Sequence, residues 1–453
     1  LAPDAAARKT IRKKNMRAIP FGRKSKILAL VIGALCAAPL AQAQPAGGAY
    51  KVIKLDSRKA AAVSSEGLLA GKTLYVAAQD GRNADGSLPA SFAQEVKQSL
   101  DHIREVLKAA DMDMGNLAWI QVYVTRAEDV AAMNDVYWKS IGANPPARTV
   151  LVVAALPGGQ KIQINAIAVA SSARRTVITP AGWPKAARRD PAGIQVDDML
   201  YISAQSGADP KTGKIPADYG AEVQQSLDNV GAVLKTAGMG MPNVVWTNPY
   251  MASPDGPADT PKTPTIIAHN GQPQAPRTVV MNKIYAATFE FGNTPGRGTI
   301  EVAQLPGGAR IVFDAIAGAD LSQRHSIRPK NMPLSPTASP GILYRDTYYM
   351  SGKSGFIPDQ GIVTQDIELQ LRQTMRNLLD DLQEADMDFS DVTQAIVYVR
   401  DIADIEKVQN LYGTFFKNGV FPTRTSLQNS FDKKTATGEQ ISFIAVRQPK
   451  AAK

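Results

Sequence analysis

Residues 145–168 read PPARTVLVVAALPGGQKIQINAIA, and residues 295–317 read PGRGTIEVAQLPGGARIVFDAIA. In both, an Arg stands eight residues before Leu-Pro-Gly-Gly: Arg148 before Leu156, and Arg297 before Leu305. A weaker echo spans residues 422–445, PTRTSLQNSFDKKTATGEQISFIA, with Arg424 in the matching place. Self-similarity at a fixed spacing decides architecture before any other signal does. Here it predicts three copies of one unit.

Working outward, the preceding helix repeats too. Val96, Leu100, Ile103, Leu107 and Ala110 make one apolar stripe at helical spacing, and Val223, Leu227, Val230, Leu234 and Ala237 repeat it 127 positions later. Leu371, Met375, Leu378, Leu382 and Ala385 form the third copy. Leu117–Thr125 alternates and is rich in aromatic and β-branched residues, so it reads as a strand. Each unit then reads as an early strand pair, a long helix, a middle strand, a second helix element and two closing strands. The expected divisions are 44–172, 173–320 and 321–453. The second contains a Pro-rich insertion, 252–280, with Pro254, Pro257, Pro261, Pro264, Pro273 and Pro276. It reads as an ordered loop or flap. Pro249 should end or fray the middle strand of that unit.

The chain has 453 residues, too many for one compact core and suited to about three domains. Its net charge of +10 is largely local. Nine Lys/Arg and one acid fall in residues 1–43, leaving 42 basic and 40 acidic residues in the rest. A near-neutral body lacks the electrostatic footprint of a nucleic-acid binder. Residues 1–43 read as a secretory signal peptide: basic residues, an apolar run from Ile27 to Leu40, then Ala41-Gln42-Ala43. Met16 is a candidate true start, and a membrane anchor is the rival reading. The apolar run is too short for a permanent span. The expectation is a periplasmic or secreted protein, with no membrane contact after cleavage. Cys36 is the only cysteine and lies in the leader, so the mature chain has no disulfide, Cys nucleophile or Cys metal site.

The ordered series of motifs resembles the RidA/YjgF family of enamine/imine deaminases, also called endoribonuclease L-PSP-like. It comprises Ala77-Ala78-Gln79, Ser203-Ala204-Gln205 and Ser351-Gly352-Lys353; QSLDHI from Gln98 and QSLDNV from Gln225; Asn-x-x-Tyr; Pro-Ala-Arg; and the Leu-Pro to Ala-Ile-Ala ending. The resemblance implies an α+β fold of three tandem chorismate-mutase-like (RidA-type) units. They would form an intramolecular pseudo-trimer, a monomer acting as a fused trimer with clefts between neighbouring units. A unit with helices on one sheet face must bury the other face elsewhere, and fusion holds the neighbours together.

The resemblance also implies a site. Arg148, Arg297 and Arg424 would grip the carboxylate of a small imino or oxo acid, since a guanidinium forks onto a carboxylate bidentately. The rival role is pairing with an acid of a neighbouring unit. Asn134, Asn282, Gln409, Ser203 and Ser351 are further substrate-binding candidates. Family deaminases carry a Glu near the end of the last strand to manage the proton of the attacking water. The matching positions hold Gln163, Val312 and Gln440. Gln orients water without taking its proton, and Val does neither. The activity implied is hydrolysis of small imino acids. The alternative is a non-catalytic binding protein for small carboxylates on the same fold. Tyr137, Tyr285 and Tyr412 read as core residues with a bonded hydroxyl. His102, His269 and His325 are scattered without metal-ligand spacing and read as surface or loop residues. No cofactor, metal or nucleic acid is expected.

Overall fold

The computed structural model describes residues 50–55, 63–170, 175–184, 190–253, 276–330, 332, 334–358, 360–361, 363–417, 419–430 and 437–449. The expected leader (1–43), most of the Pro-rich insertion (254–275) and part of the third-unit hairpin (431–436) lie outside them.

The first unit runs β1 (Lys51–Ile53), β2 (Gly67–Ala70), β3 (Thr73–Asp80), α1 (Phe92–Ala109), β4 (Leu117–Val124), α2 (Asp129–Ile141), β5 (Ala147–Val152) and β6 (Ile162–Val169). The second runs β7 (Arg175–Ile178), β8 (Gly193–Val196), β9 (Met199–Ser206), α3 (Tyr219–Thr236), β10 (Val244–Ala252), α4 (Pro276–Thr288), β11 (Gly296–Arg297), β12 (Ile300–Val302) and β13 (Ile311–Gly318). The third runs β14 (Arg324–Ile327), β15 (Gly341–Tyr344), β16 (Thr347–Met350), α5 (Ile367–Glu384), β17 (Val392–Val399), α6 (Ile405–Gly413), β18 (Thr423–Gln428) and β19 (Glu439–Val446).

Each unit forms one sheet in the same order: β1-β2-β3-β6-β4-β5, then its two counterparts. Neighbours pair antiparallel except the outermost pair of each sheet, β4 with β5, β10 with β11 and β12, and β17 with β18. A parallel pair needs a crossover, and α2 and α6 provide it. The long helices start on side-chain caps. Ser91 and Gln94 form a reciprocal box at α1, and Asp218 and Asp366 accept from Ala221 and Leu369 N–H at α3 and α5.

The predicted helix stripes lie in three separate cores, one between each long helix and its own sheet. The opposite sheet faces meet in a fourth core drawn from all three units, including Trp119, Trp246, Tyr349 and Ile444. Trp119 and Trp246 pack edge to face there at 6.0 Å. Polar groups at this junction converge on Asp314. Thr149 Oγ1 and Gln121 Nε2 donate to its Oδ2 at 2.8 and 3.2 Å, and Asn248 Nδ2 donates to its Oδ1 at 3.0 Å. Burial pushes the Asp314 carboxyl up to about 6 despite those donors.

Pro249 does not end its strand. β10 runs through it, with Pro249 opposite Phe313 of β13. The interruption falls on the other side. β10 pairs with β11 up to Thr247–Arg297 and resumes with β12 at Tyr250–Ile300. The matching strands β5 and β18 are continuous. A proline lacks one ladder donor, and the missing bond here costs the neighbouring strand its continuity.

Candidate active site

The Arg strand of each unit abuts the early region of the next. Arg148 N–H donates to Ser203 Oγ at 2.9 Å, and Arg297 N–H to Ser351 Oγ at 2.8 Å. The first unit has Ala77 at that position, and Arg424 N–H donates instead to Ser64 Oγ at 3.1 Å. The contacts run one to two, two to three and three back to one, so the ring closes.

All three guanidiniums lie over the tyrosine of the preceding helix. Cζ of Arg148, Arg297 and Arg424 is 4.3, 4.8 and 5.7 Å from the ring centroids of Tyr137, Tyr285 and Tyr412. These are cation–π platforms. The tyrosines are buried as expected, but among the described residues their hydroxyls have no hydrogen-bond partner. Burial by the apolar helix–sheet core lifts all three hydroxyls well above their ordinary range, which keeps them neutral.

The surroundings then diverge. In the first-to-second cleft, Arg148 is committed inside the protein. Its Nη1 donates to Asn134 Oδ1 at 2.8 Å and its Nη2 to Asp190 Oδ2 at 2.7 Å, while Nε lies 2.7 Å from Asp190 Oδ1. A carboxylate of the second unit thus fills the fork. Val312 is buried, paired with Tyr250 and Ser206. A depression of about 850 Å³ nearby is lined by Asn134, Arg277 and Arg310, without Arg148. Arg277 resembles the strand arginines in its Pro-Arg-Thr context, but it sits in the first turn of α4 and donates to Ala252 O at 2.9 Å.

In the second-to-third cleft, Arg297 Nη1 donates to Asn282 Oδ1 at 2.8 Å. Gln440 is packed so tightly on Gly352 that a Cβ there would lie 2.3 Å from Gln440 Nε2. Gly352 N–H donates to Arg297 O at 3.0 Å. Burial pulls the Arg297 guanidinium below its ordinary value.

The third-to-first cleft is open. Arg424, Gln409 and Ser426 of the third unit and Ser64, Glu66 and Gln163 of the first line one cavity of about 350 Å³. Arg424 Nη1, Gln163 Oε1 and Ser426 Oγ are all buried there without a hydrogen-bond partner among the described residues. Burial pulls Arg424 below its ordinary value, only partly offset by Tyr412. Leaving a buried charged donor unmade costs about 1–3 kcal/mol or more, so this arrangement suits an anionic ligand with a donor beside its anion.

His102 is not a surface residue. It is 4% exposed and lines the same cavity. Its Nδ1 is 2.8 Å from Asp80 O and its Nε2 is 2.9 Å from Gln98 Nε2. A carbonyl accepts only, so Nδ1 carries the proton and Nε2 accepts. Asn229 and Asn377 hold the same loop in the other units, donating to Ser206 O and Ala208 O, and to Ser354 O and Phe356 O. The imidazole is a structural substitute for an amide.

Sequence reading missed Asp190, Ser64, Glu66 and Ser426. The first three precede β8 or β2 in stretches without periodicity. Only alignment through Gly67, Gly193 and Gly341 brings Ser64 and Asp190 into register. Among the described residues, no group of three or more metal-binding side chains is placed to hold an ion, and no helix is long and apolar enough to cross a membrane.

The family model for Endoribonuclease L-PSP matches residues 55–170, 184–280 and 333–439. The chain belongs to that family. Its members include the RidA/YjgF proteins, and this chain carries three such units in tandem. A rat (Rattus norvegicus) protein named 2-iminobutanoate/2-iminopropanoate deaminase is 38% identical over 148 residues, 32% of this chain and 92% of the relative. One of the same name from Escherichia coli K12 is 32% identical over 127 residues, 28% of this chain and 83% of the relative. Among solved structures, E. coli TdcF with bound serine is 28% identical, covering 27% of this chain and 99% of its own, with a TM-score of 0.26. Each of these family relatives is matched by about one unit of this chain.

Proposed function

We propose that this protein is an enamine/imine deaminase-like hydrolase acting on small 2-imino acids, and that it works in the cleft between its third and first units. The observation that carries this reading is the triad of unpartnered buried groups in that cavity, Arg424 Nη1, Gln163 Oε1 and Ser426 Oγ. Arg424 anchors the substrate carboxylate, with the Tyr412 face beneath it. Gln163 Oε1 accepts from the substrate nitrogen or from a water at the imine carbon. The other two arginines lack this setting, Arg148 because Asp190 occupies its fork. The relatives' names support the imine class. The leader at residues 1–43 makes the proposed place of action the periplasm or the exterior.

The test is ammonia release from freshly generated 2-iminobutyrate by the purified chain beginning at Gln44. Turnover above buffer that Arg424→Ala abolishes supports the reading, and a rate equal to buffer rejects it. A second reading, a small-carboxylate binder without turnover, is favoured by Gln rather than Glu at position 163. It predicts 2-oxobutyrate binding that requires Arg424, with no ammonia released.

A further inference from the structure

Away from the arginine clefts, three side chains peculiar to the third unit meet beside α5. We infer that Lys353, Asp381 and Tyr348 form a binding site for a zwitterionic α-amino acid with an apolar side chain. Lys353 and Asp381 line a cavity of about 940 Å³ that Arg148, Arg297 and Arg424 do not line. The site is therefore separate from the cleft of the deaminase reading and does not depend on it.

Register fixes the counterparts of all three. Lys353 bridges to Ile441, as Gln79 pairs with Ile164 and Gln205 with Phe313. Tyr348 pairs with Ala445, where Leu74 pairs with Ala168 and Leu200 with Ala317. Asp381 precedes Leu382 in α5, as Val106 precedes Leu107 in α1 and Val233 precedes Leu234 in α3. Two core positions that are apolar in both other units thus hold a phenol and a carboxylate, and a glutamine position holds a lysine. Placing a carboxylate in a core is costly unless it is paired, and here the lysine comes to meet it.

Lys353 Nζ lies 2.8 Å from Asp381 Oδ2. The Asp381 side chain is fully buried, and its Oδ1 has no hydrogen-bond partner among the described residues. The same holds for the buried Tyr348 hydroxyl. Burial pushes the Asp381 carboxyl up against the opposing pull of Lys353, and burial together with Asp381 lifts Tyr348 well above its ordinary range. A buried carboxylate answered on one oxygen only is an arrangement that a ligand donor relieves. The wall opposite the helix is held in place. Asn377 of α5 donates from Nδ2 to Ser354 O at 3.1 Å and to Phe356 O at 2.8 Å, and Ser354 and Phe356 both line the cavity.

The lining sets the ligand class. Asp381 Oδ1 calls for a donor, and an ammonium brings charge as well as a hydrogen bond. Lys353 Nζ carries three donors, of which Asp381 Oδ2 takes one, and a ligand carboxylate suits the others. Around this pair the signs balance, Lys330 and Arg376 against Asp380 and Glu384. Arg376 Nε is 3.0 Å from Asp380 Oδ1, so those two answer each other. A ligand of one sign meets as much repulsion as attraction here, whereas a zwitterion finds the opposite charge at each end. Met332 and Phe356 add apolar surface for its side chain. A 2-oxo acid offers no donor to Asp381, so the site separates amino acids from oxo acids.

The experiment is calorimetric titration of the purified chain beginning at Gln44 with L-leucine, with 4-methyl-2-oxopentanoate, which lacks the ammonium, and with isopentylamine, which lacks the carboxylate. Leucine is expected to bind one to one, and each analogue at least about 10-fold more weakly, the equivalent of one charge-assisted hydrogen bond. Asp381→Asn keeps the side-chain shape and should weaken leucine by a similar factor. The double variant Lys353→Gln with Asp381→Val puts back the residues of the other two units. Replacing a buried ion pair in this way leaves a protein folded, so its Tm should match or exceed wild type while leucine binding disappears. Arg424→Ala should retain leucine binding, and loss of binding there would place the ligand in the third-to-first cleft and overturn the assignment. Absence of leucine binding by wild type, equal affinity for leucine and its 2-oxo analogue, or affinity unaltered in Asp381→Asn and in the folded double variant also overturns it. None of these results bears on ammonia release.

Discussion

Asp190 clasps Arg148 with both carboxylate oxygens, Oδ1 at 2.7 Å from Nε and Oδ2 accepting from Nη2 at 2.7 Å. The pair joins two units, and on the proposed reading it occupies the fork that would otherwise receive a substrate carboxylate. The counterpart of Asp190 is Ala338 in the third unit and Ser64 in the first. A single position thus sets three fates: an acid closes one cleft, an alanine leaves Arg297 without an acid from that loop, and a serine braces the backbone of Arg424.

Removing the acid should reopen the first cleft. Asp190→Ala is expected to add a second 2-oxobutyrate site, read as a rise in calorimetric stoichiometry that a further Arg148→Ala change reverses. It should not raise ammonia release, because Val312 stands where a proton-handling residue is needed. Arg148 is left nearly buried without its partner, so stability should fall by about 1–3 kcal/mol in urea unfolding.

Charge alone does not reproduce a fork. Arg424→Lys keeps the positive charge but loses planar, bidentate recognition of a carboxylate. Its kcat/KM for 2-iminobutyrate is expected to drop by about 10- to 100-fold, the equivalent of one charge-assisted hydrogen bond. Arg148→Lys should leave turnover nearly unchanged, and equal losses in the two variants would refute the assignment to the third-to-first cleft.

The serine that braces each arginine strand has moved in one unit. Ser203 and Ser351 reach their arginine from β9 and from just after β16, while Ser64 does so from the segment before β2. Ser64→Ala should cost about 1 kcal/mol and raise KM by loosening the strand that carries Arg424. Adding Ala77→Ser places the hydroxyl at the position that Ser203 and Ser351 occupy in the other two units. KM measured for the single and double variants checks it: the second change should recover most of the loss.

The repeat, the order of elements along the chain and the three helix cores were legible because burial imposes periodicity, and Val96, Leu100 and Ile103 with their counterparts repeat it at constant offset. The arginines were legible for the same reason, since they ride on strands of fixed register. What closes or opens a cleft was not. Asp190, Ser64 and Glu66 lie in connections where no period constrains the side chains, and their partners are remote in sequence. His102 was misleading because an imidazole replaces an amide that neither unit two nor unit three exposes. Pro249 was misread because the lost ladder bond fell on the partner strand rather than on β10.

One buried acid should leave its mark on stability. Glu439 stands in β19 where the other units have Ile162 and Ile311. Thr374 Oγ1 donates to its Oε1, while its Oε2 is buried with no partner among the described residues. Burial pushes this carboxyl up from 4.5 to about 8, with the Thr374 bond opposing the shift. The native chain therefore holds this proton more tightly than the unfolded chain does. The stability it contributes is fully present below pH 4.5 and is lost as pH rises through about 8. The slope between those limits is at most about 1.4 kcal/mol per pH unit. Asp314, pushed from 3.8 to about 6, adds a slope of the same sign over the lower part of that window. Glu439→Gln keeps an acceptor for Thr374 and removes the ionisation. Urea midpoints from pH 5 to 8 should therefore fall less steeply in the variant than in wild type, with the two curves diverging as pH rises. Parallel curves would mean that Glu439 is solvated in the native state.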